Sequence, residues 1–355
     1  MTTGINKKIL INGNEAIAEA AILAGCRFYA GYPITPQNQI PEYMSWRMPE
    51  AGGVFIQAES ELAAINMVFG ASLTGTRAMT SSSSPGISLK QEGISYMAGC
   101  ELPGVIVNMQ RGGPGLGNIQ GSQADYFQAT KGGGHGDYKM PVLAPSTIPE
   151  AIEHVMDAFD LADKYRTPVM ILSDGILGQM MEAVEFPEYR PKMKLPKKDW
   201  ILDGAKGRAP RSIFSLMMQN PTILEKHNWK LSEKFKKMEV EVRHETYHTE
   251  DAEILICAYG IMGRICKGAV DMARKADIKA GLFRPVTVWP FASDIVSELG
   301  KKAKKVLVVE LNLGQMVEDI RLAVEDNKKI SFHGRPGGAV ATKEEVFEKI
   351  KELAK

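Results

Sequence analysis

Glu61, Thr35 and Arg111 are the residues whose types and settings could do chemistry. Gln57-Ala58-Glu59-Ser60-Glu61 opens a helix-like stretch, and a helix advances about 100° per residue. On that wheel Leu62, Ile65, Val68, Phe69 and Leu73 form one apolar arc. Glu61 falls inside the arc, whereas Glu59 falls at its edge beside Asn66. A carboxylate on a buried face is costly unless it is paired, hydrogen-bonded or protonated. Glu61 is therefore either an acid/base group or a buried hydrogen-bonding anchor. Glu59 suits the ordinary role of a first-turn acid facing the helix dipole.

Thr35 sits in Gly31-Tyr32-Pro33-Ile34-Thr35-Pro36, after the apolar run Arg27 to Ala30. Each proline fixes its own φ and pushes its predecessor into an extended conformation. Thr35 is thus held where a strand ends and a helix begins, the usual ligand edge of an open α/β sheet. It is a candidate anion or substrate contact, or part of a structural turn. Thr80-Ser81-Ser82-Ser83-Ser84-Pro85-Gly86 is a hydroxyl-rich turn before another helix. Such a turn can cradle a diphosphate or cofactor ring, and it can equally cap the helix. Arg111 follows the strand Val105 to Asn108 and precedes Gly112-Gly113-Pro114-Gly115-Leu116-Gly117. An arginine there suits bidentate capture of a carboxylate, or it braces the loop against an acid such as Asp125. His135, among the glycines of 132–136, is a further loop candidate.

The elements that must position these residues alternate. Helix-like segments (Asn14 to Leu23, Gln37 to Arg47, Glu59 to Leu73, Ile87 to Ala98, Pro149 to Lys164) alternate with short apolar strands. That alternation predicts a parallel sheet covered on both faces. Residues 183–248 are rich in Lys, Arg and Pro and lack clear periodicity, with one helix expected near Leu231 to Val240. The βα pattern resumes at Ala252. The expected division is 1–182, a linker or excursion at 183–248, and a smaller α/β domain at 249–355.

Composition narrows the class. The 355 residues are 44% hydrophobic, enough for two or three domains with real cores. Lys+Arg of 43 against Asp+Glu of 42 gives +1, so no charge bias points to nucleic acid or an acidic membrane. No apolar run reaches the roughly 18–20 residues of a membrane span. Met1 to Asn6 lacks a signal-peptide core. The four cysteines (Cys26, Cys100, Cys257, Cys266) form no CxxC, which argues against an iron–sulfur or zinc site and for a reducing cytoplasm. No metal ligand set is expected in this chain.

Taken together and in order, these pieces resemble the 2-oxoacid:ferredoxin oxidoreductases. The resemblance rests on Tyr32-Pro33-Ile34-Thr35-Pro36, Gln57 to Glu61, Ser83 to Leu89, Glu101-Leu102-Pro103-Gly104 and the Arg111 loop in the first domain. In the second it rests on Arg284-Pro285-Val286-Thr287-Val288-Trp289-Pro290-Phe291 and Glu310 to Met316. Ala292 stands where a third proline is common. Ser88 to Ser95 and Lys131 to Gly136 look closest to the α-type chain of enzymes acting on branched-chain 2-oxoacids.

The resemblance implies a fold and a reaction. The fold is a pyrimidine-type thiamine-diphosphate-binding doubly wound parallel sheet plus a transketolase-C-terminal-like domain. The reaction is oxidative decarboxylation of a 2-oxoacid on thiamine diphosphate, giving an acyl-CoA and reduced ferredoxin. Glu61, nine residues before Gly70, matches the family's pyrimidine-activating glutamate, whose carboxyl at N1′ favours the imino form. Thr35 and Arg111 match the substrate-binding pair. Tyr32, Pro33, Ser83, Ser84, Pro85 and Gly86 are implied as weaker cofactor contacts. No Gly-Asp-Gly with an Asn about 25–30 residues later, the Mg²⁺–diphosphate motif, is present, and Ser173-Asp174-Gly175 is the nearest string. The Mg²⁺–diphosphate site and the iron–sulfur clusters are therefore expected on partners: a β-type subunit, a γ-type subunit and a ferredoxin-like subunit, with external ferredoxin as acceptor. The rival readings are the same complex acting on 2-oxoglutarate, pyruvate or an aryl 2-oxoacid, and a non-catalytic assembly subunit. A dinucleotide-binding dehydrogenase built on Gly113 to Gly117 lacks its ribose-binding acid.

Overall fold

The computed structural model describes residues 8–214 and 220–355. In chain order the first part runs β1 (Ile9–Asn12), α1 (Gly13–Leu23), β2 (Phe28–Gly31), α2 (Gln39–Glu50), β3 (Val54–Gln57), α3 (Glu61–Leu73), β4 (Ala78–Ser82), α4 (Ser84–Gly99) and β5 (Gly104–Gln110). It continues with α5 (Tyr126–Thr130), β6 (Val142–Leu143), α6 (Ile148–Tyr165), β7 (Pro168–Asp174), α7 (Gly175–Gln179) and β8 (Met181–Val184). The second part holds α8 (Pro221–Met238), β9 (His244–Tyr247), β10 (Ile254–Cys257), α9 (Gly260–Lys275), β11 (Ala280–Pro285), β12 (Thr287–Trp289), α10 (Ser293–Lys302), β13 (Lys305–Glu310), α11 (Met316–Ala323), β14 (Ile330–Gly334) and α12 (Lys343–Leu353).

Local signals explain the boundaries. Asn12, Ser60 and Thr147 cap α1, α3 and α6, each accepting a backbone N–H three residues on. Gly25 ends α1 at φ +82°, a conformation that favours glycine. Strands β5 and β7 are buried along all seven residues, as a doubly covered parallel sheet requires. Burying each Val, Ile or Met side chain there contributes roughly 1.5–3 kcal/mol.

The large sheet has the order β12-β6-β7-β5-β4-β2-β3. Its neighbours are parallel except for β12, which lies antiparallel to β6 with Trp289 beside Val142. The chain leaves β2 toward β3, then crosses back to β4 on the other side. This reversal opens a crevice at the carboxyl ends of β2 and β4, where open sheets bind ligands. The second sheet, β14-β13-β10-β11-β9, is parallel apart from β9. The α/β class with two parallel sheets is thus as the sequence predicts.

Two elements differ from expectation. The helix expected at Leu231 to Val240 starts at Pro221, with Asn220 as its cap. Strand β12, part of the Arg284–Phe291 stretch, leaves the second domain and edges the first sheet. Residues 185–214, together with α8, cross the amino-terminal edge of that sheet, opposite the crevice. Leu202 N–H bonds the Leu73 carbonyl at 2.8 Å, His227 bonds the Gly99 carbonyl at 2.8 Å, and Lys234 pairs with Glu101 at 3.3 Å. Lys192 and Lys198 of this stretch, together with Arg77 and Arg243, meet an acidic row on α6. Asp160 and Asp163 pair with Arg77, Asp163 also with Lys198, and Asp157 with Lys192 and Arg243, all within 3.0 Å. These acids are nearly fully buried, so the cations answer a desolvation cost that α6 alone leaves unmet.

The second domain reaches the crevice through one loop. Gln123 Nε2 donates to the Tyr259 carbonyl at 2.8 Å and its Oε1 accepts Leu311 N–H at 3.1 Å. Tyr259 Oη and Asn312 Nδ2 both bond the Gln123 carbonyl, at 3.0 and 2.7 Å. Gln123 lies in the segment 111–125 that begins with Arg111.

Candidate active site

Four carboxyl-end segments converge at the crevice: 32–38 after β2, the start of α3, 82–86 after β4, and 111–125 after β5. Glu61 is the first residue of α3 and is 6% exposed, while Glu59 is exposed. The apolar arc differs from the sequence expectation. Leu62 is 46% exposed, and the buried face runs through Glu61, Ala64, Ile65, Val68 and Ser72. Helix α4 comes very close to that face at Ile65, where it carries Gly93. A Cβ on Gly93 would meet Ile65 at 2.6 Å. Nothing among the described residues hydrogen-bonds the Glu61 carboxyl; Lys90 Nζ reaches only its backbone carbonyl, at 3.5 Å.

The turn of hydroxyls divides by role. Ser81 Oγ bonds Tyr29 Oη at 2.6 Å and the side chain of Gln37, whose Nε2 holds the Tyr32 carbonyl at 3.2 Å. Ser82 and Ser83 are buried with Oγ atoms that have no partner among the described residues. Ser83 precedes α4 as its N-cap without making the side-chain capping bond, and Pro85 occupies the first turn. Ser84 Oγ bonds Asp125 at 2.6 Å and receives the Arg111 N–H at 3.0 Å. Gly86 is a space-maker: a Cβ there would lie 2.6 Å from Glu61 Oε1.

Thr35 and Arg111 meet. Arg111 Nη1 donates to the Thr35 carbonyl at 2.8 Å and Nη2 to the Leu116 carbonyl at 3.0 Å. Arg111 is 6% exposed, and its Nε is buried without a partner. The alternative reading, bracing of Arg111 by Asp125, has no such pairing among the described residues. Asp125 accepts from Ser84 and from Asn108 Nδ2 at 2.9 Å, and burial raises its pKa above the usual carboxylate range. Loop carbonyls, not an acid, hold the guanidinium. The loop can fold back this way because Gly117 sits at φ +60°, where a Cβ would strike the Gly112 carbonyl. Thr35 Oγ1 accepts from Asn38 at 3.3 Å, and the Pro36 carbonyl accepts from Asn14 and Gln179. Tyr32 and Pro33 are exposed at the rim. His135 is exposed and held through its carbonyl by Ser95 Oγ at 2.9 Å, outside this cluster.

A hollow of about 520 Å³ opens beside Thr35, walled by Pro36, Ile119, Ile176 and Met180 with Gln39 and Gln179. No charged side chain lines it among the described residues. Sequence reading missed Lys90. It lies three residues after Ile87 and four before Ile94, on the buried stripe of α4, so a charge on an apolar face was its signal. Among the described residues, no group of three or more His, Cys, Asp or Glu side chains could hold a metal ion, and no helix is long and apolar enough to cross a membrane.

Comparison with known proteins adds to this geometry. Residues 19–248 match the family model "Pyruvate flavodoxin/ferredoxin oxidoreductase, thiamine diP-bdg", and residues 252–346 match "Pyruvate:ferredoxin oxidoreductase core domain II". Ketoisovalerate oxidoreductase subunit VorB of Methanothermobacter marburgensis is 48% identical over 97% of both chains. The 2-oxoglutarate synthase subunit KorA of Methanocaldococcus jannaschii is 36% identical over 95% of this chain and 97% of its own. The 2-oxoglutarate:ferredoxin oxidoreductase of Magnetococcus marinus, solved with 2-oxoglutarate, coenzyme A and succinyl-CoA bound, superposes with a TM-score of 0.89 at 28% identity. That match covers 98% of this chain and 65% of the longer one. A split-gene transketolase shares the fold at a TM-score of 0.60 and 14% identity.

Proposed function

The chain belongs to the 2-oxoacid:ferredoxin oxidoreductases, and on that premise we propose that Glu61, Thr35 and Arg111 are its working residues toward a branched-chain 2-oxoacid. The observation that carries this reading is the buried, unpartnered Glu61 carboxyl at the sheet's crevice. A carboxyl without a partner among the described residues is free to exchange a proton with a group that enters the crevice.

The residues fit the pyrimidine half of thiamine diphosphate. Ser82 Oγ and Ser83 Oγ are buried and unpartnered, which is costly unless a ligand completes them. Gly86 keeps the space in front of Glu61 clear. Thiamine diphosphate, when bound, supplies the carbon acid on which 2-oxoacids are decarboxylated. Glu61 holds and returns a proton at a carboxyl oxygen, shielded from bulk water by α4. Ser82, Ser83 and the Tyr32–Pro33 rim orient the ring beside it.

Arg111 and Thr35 take the substrate carboxylate. Two backbone carbonyls fix the guanidinium plane, and its Nε–H remains unspent. A planar fork held in this way suits a carboxylate. The hollow beside Thr35 favours an apolar substrate tail. A 2-oxoglutarate tail would bring a second carboxylate to a wall that offers it no cation. This favours the substrate of the VorB relatives over that of the KorA relatives.

The reaction needs parts that this chain's residues do not supply. A partner subunit carries the Mg²⁺–diphosphate end, and γ-type and ferredoxin-like subunits supply the remaining chemistry, the iron–sulfur clusters and the handover to external ferredoxin. Exposed apolar residues beside the site (Tyr32, Leu62, Leu89, Leu116 and Ile119) form the surface on which the partner would seat. The complex works in the cytoplasm.

The test is Glu61→Gln in the assembled complex. Hydrogen–deuterium exchange at the cofactor's C2 and turnover should both be lost while assembly persists. Glu59→Gln should keep both. Near wild-type exchange in the Glu61 variant would sink the assignment.

A further inference from the structure

Lys90 is the only lysine that is buried among the described residues, at 0% exposure. It rises from the inner face of α4, and its Nζ donates to Thr80 Oγ1 on β4 at 2.8 Å. The same atom lies 3.5 Å from the carbonyl of Glu61, under the first turn of α3. No carboxylate comes within ion-pair distance of it among the described residues. An amine at this depth is expensive, and a methionine of similar length would fill the space without that cost. Packing therefore does not account for it, whereas its place beneath Glu61 does.

We propose that Lys90 is a positioning residue for Glu61: from beneath the α3 terminus its amine ties the Glu61 carbonyl to Thr80 on β4, and so fixes where the Glu61 carboxyl stands in the crevice. The inference rests on the reading of Glu61 as the proton-carrying group. Of the groups around the amine, Glu61 on α3 is the one charged side chain that acts on it, and β4 offers the neutral Thr80 hydroxyl. Burial pulls the amine from its ordinary 10.5 down to about 7, opposed by the charge of Glu61.

The experiment uses Lys90→Met and Lys90→Arg in the assembled complex. The first readout is kcat against pH. The wild type should break near pH 7, where the amine titrates. Lys90→Met should lose that break and lower kcat most below pH 7, where the wild-type amine is charged and donates most strongly. Lys90→Arg, charged throughout, should lose the break and keep the kcat that the wild type shows below pH 7. The second readout is melting of the cofactor-free complex against pH. Between about 7 and 10.5 the unfolded chain binds a proton that the folded one does not, so wild-type stability rises with pH across that window. Lys90→Met should lack this rise. A Lys90→Met profile that superimposes on the wild type, or falls by one factor at every pH, overturns the proposal, as does an unchanged pH dependence of melting. Glu61→Gln separates the two readings. If it is inactive while Lys90→Met leaves the profile unmoved, only the Lys90 proposal fails. If it retains turnover, the reading of Glu61 itself fails.

Discussion

Replacing Gly86 with alanine should strengthen a helix and disable the site together. Gly86 lies in the first turn of α4, where alanine is favoured by roughly 0.5–1 kcal/mol. Its added Cβ would sit 2.1 Å from Ser82 Oγ, 2.6 Å from Glu61 Oε1 and 2.9 Å from Glu61 Cγ. Ordinary contact begins at about 3.4 Å, so each neighbour must yield. Ser82 can turn its hydroxyl by a χ1 rotation, since that hydroxyl has no protein partner to lose. Glu61 cannot stay where it is, and its carboxyl must retreat by about 1 Å. A misplacement of that size costs on the order of a hundredfold in rate. The overpacking costs about 1–3 kcal/mol, partly offset by the helix gain. The expected outcome is a complex that assembles and melts within a few degrees of wild type, with kcat lowered about a hundredfold. Steady-state turnover and thermal melting of the same preparation measure both. A kcat within about threefold of wild type in a folded complex would refute the claim that the Glu61 position limits the chemistry. Activity lost only in step with assembly would refute it too.

Two other perturbations follow from the same geometry. Arg111→Ala should raise the KM for every 2-oxoacid tested and lower kcat/KM by roughly ten- to a hundredfold, since a charged hydrogen bond contributes about 1.5–3 kcal/mol. The KM for coenzyme A should change much less; an unchanged 2-oxoacid KM would leave Arg111 as a brace for the Thr35 and Leu116 carbonyls. Gln123→Ala strips partners from the Tyr259 carbonyl and the Leu311 N–H, both buried, at about 1–3 kcal/mol each. Melting should fall by several degrees and 2-oxoacid affinity should drop with it, because the 111–125 segment loses its side-chain hold on the second domain while the Gln123 backbone bonds to Leu311, Tyr259 and Asn312 remain. Unchanged affinity in a destabilised complex would show that the backbone bonds alone keep the loop's shape.

The sequence revealed most where a local rule was strong. Hydrophobic periodicity placed α1, α3, α4 and α6; α1, α3 and α6 each carry a side-chain cap, and α4 has proline in its first turn. The wheel put Glu61 on the buried face, and burial there follows the angle fixed by 3.6 residues per turn; Glu59 lies before the Ser60 cap, outside α3, and is exposed for that reason. The wheel also put Leu62 in the arc, but the buried face runs through Glu61, Ala64, Ile65, Val68 and Ser72, with Ile65 seated on Gly93 of α4; the arc holds for Ile65 and Val68 and fails at Leu62. Strand β12 was illegible, because a three-residue strand that crosses into another domain's sheet is fixed by tertiary pairing alone. The same holds for β1 and β8, which pair across more than 160 residues.

The site divides along that line. Thr35, Glu61 and Arg111 were legible as strand-end or helix-start residues, since topology alone sends those positions to the carboxyl edge. Their relations were not. That Arg111 would clasp the Thr35 and Leu116 carbonyls and ignore Asp125 depends on how a glycine loop folds back, and no spacing rule reports this. The basic stretch of 183–248 carried the same ambiguity. Read as sequence it is a charge run without period. In the fold, Lys192 and Lys198 neutralise Asp157 and Asp163 on α6 and, with Arg77 and Arg243, let a row of acids lie buried against the sheet. Its place at the edge opposite the crevice separates the two duties of the sheet. The amino-terminal edge is closed by ion pairs within this chain. The carboxyl edge keeps unpartnered hydroxyls, an unpartnered guanidinium nitrogen and exposed apolar side chains. A chain that satisfies one edge so fully and leaves the other unsatisfied is built to be completed there.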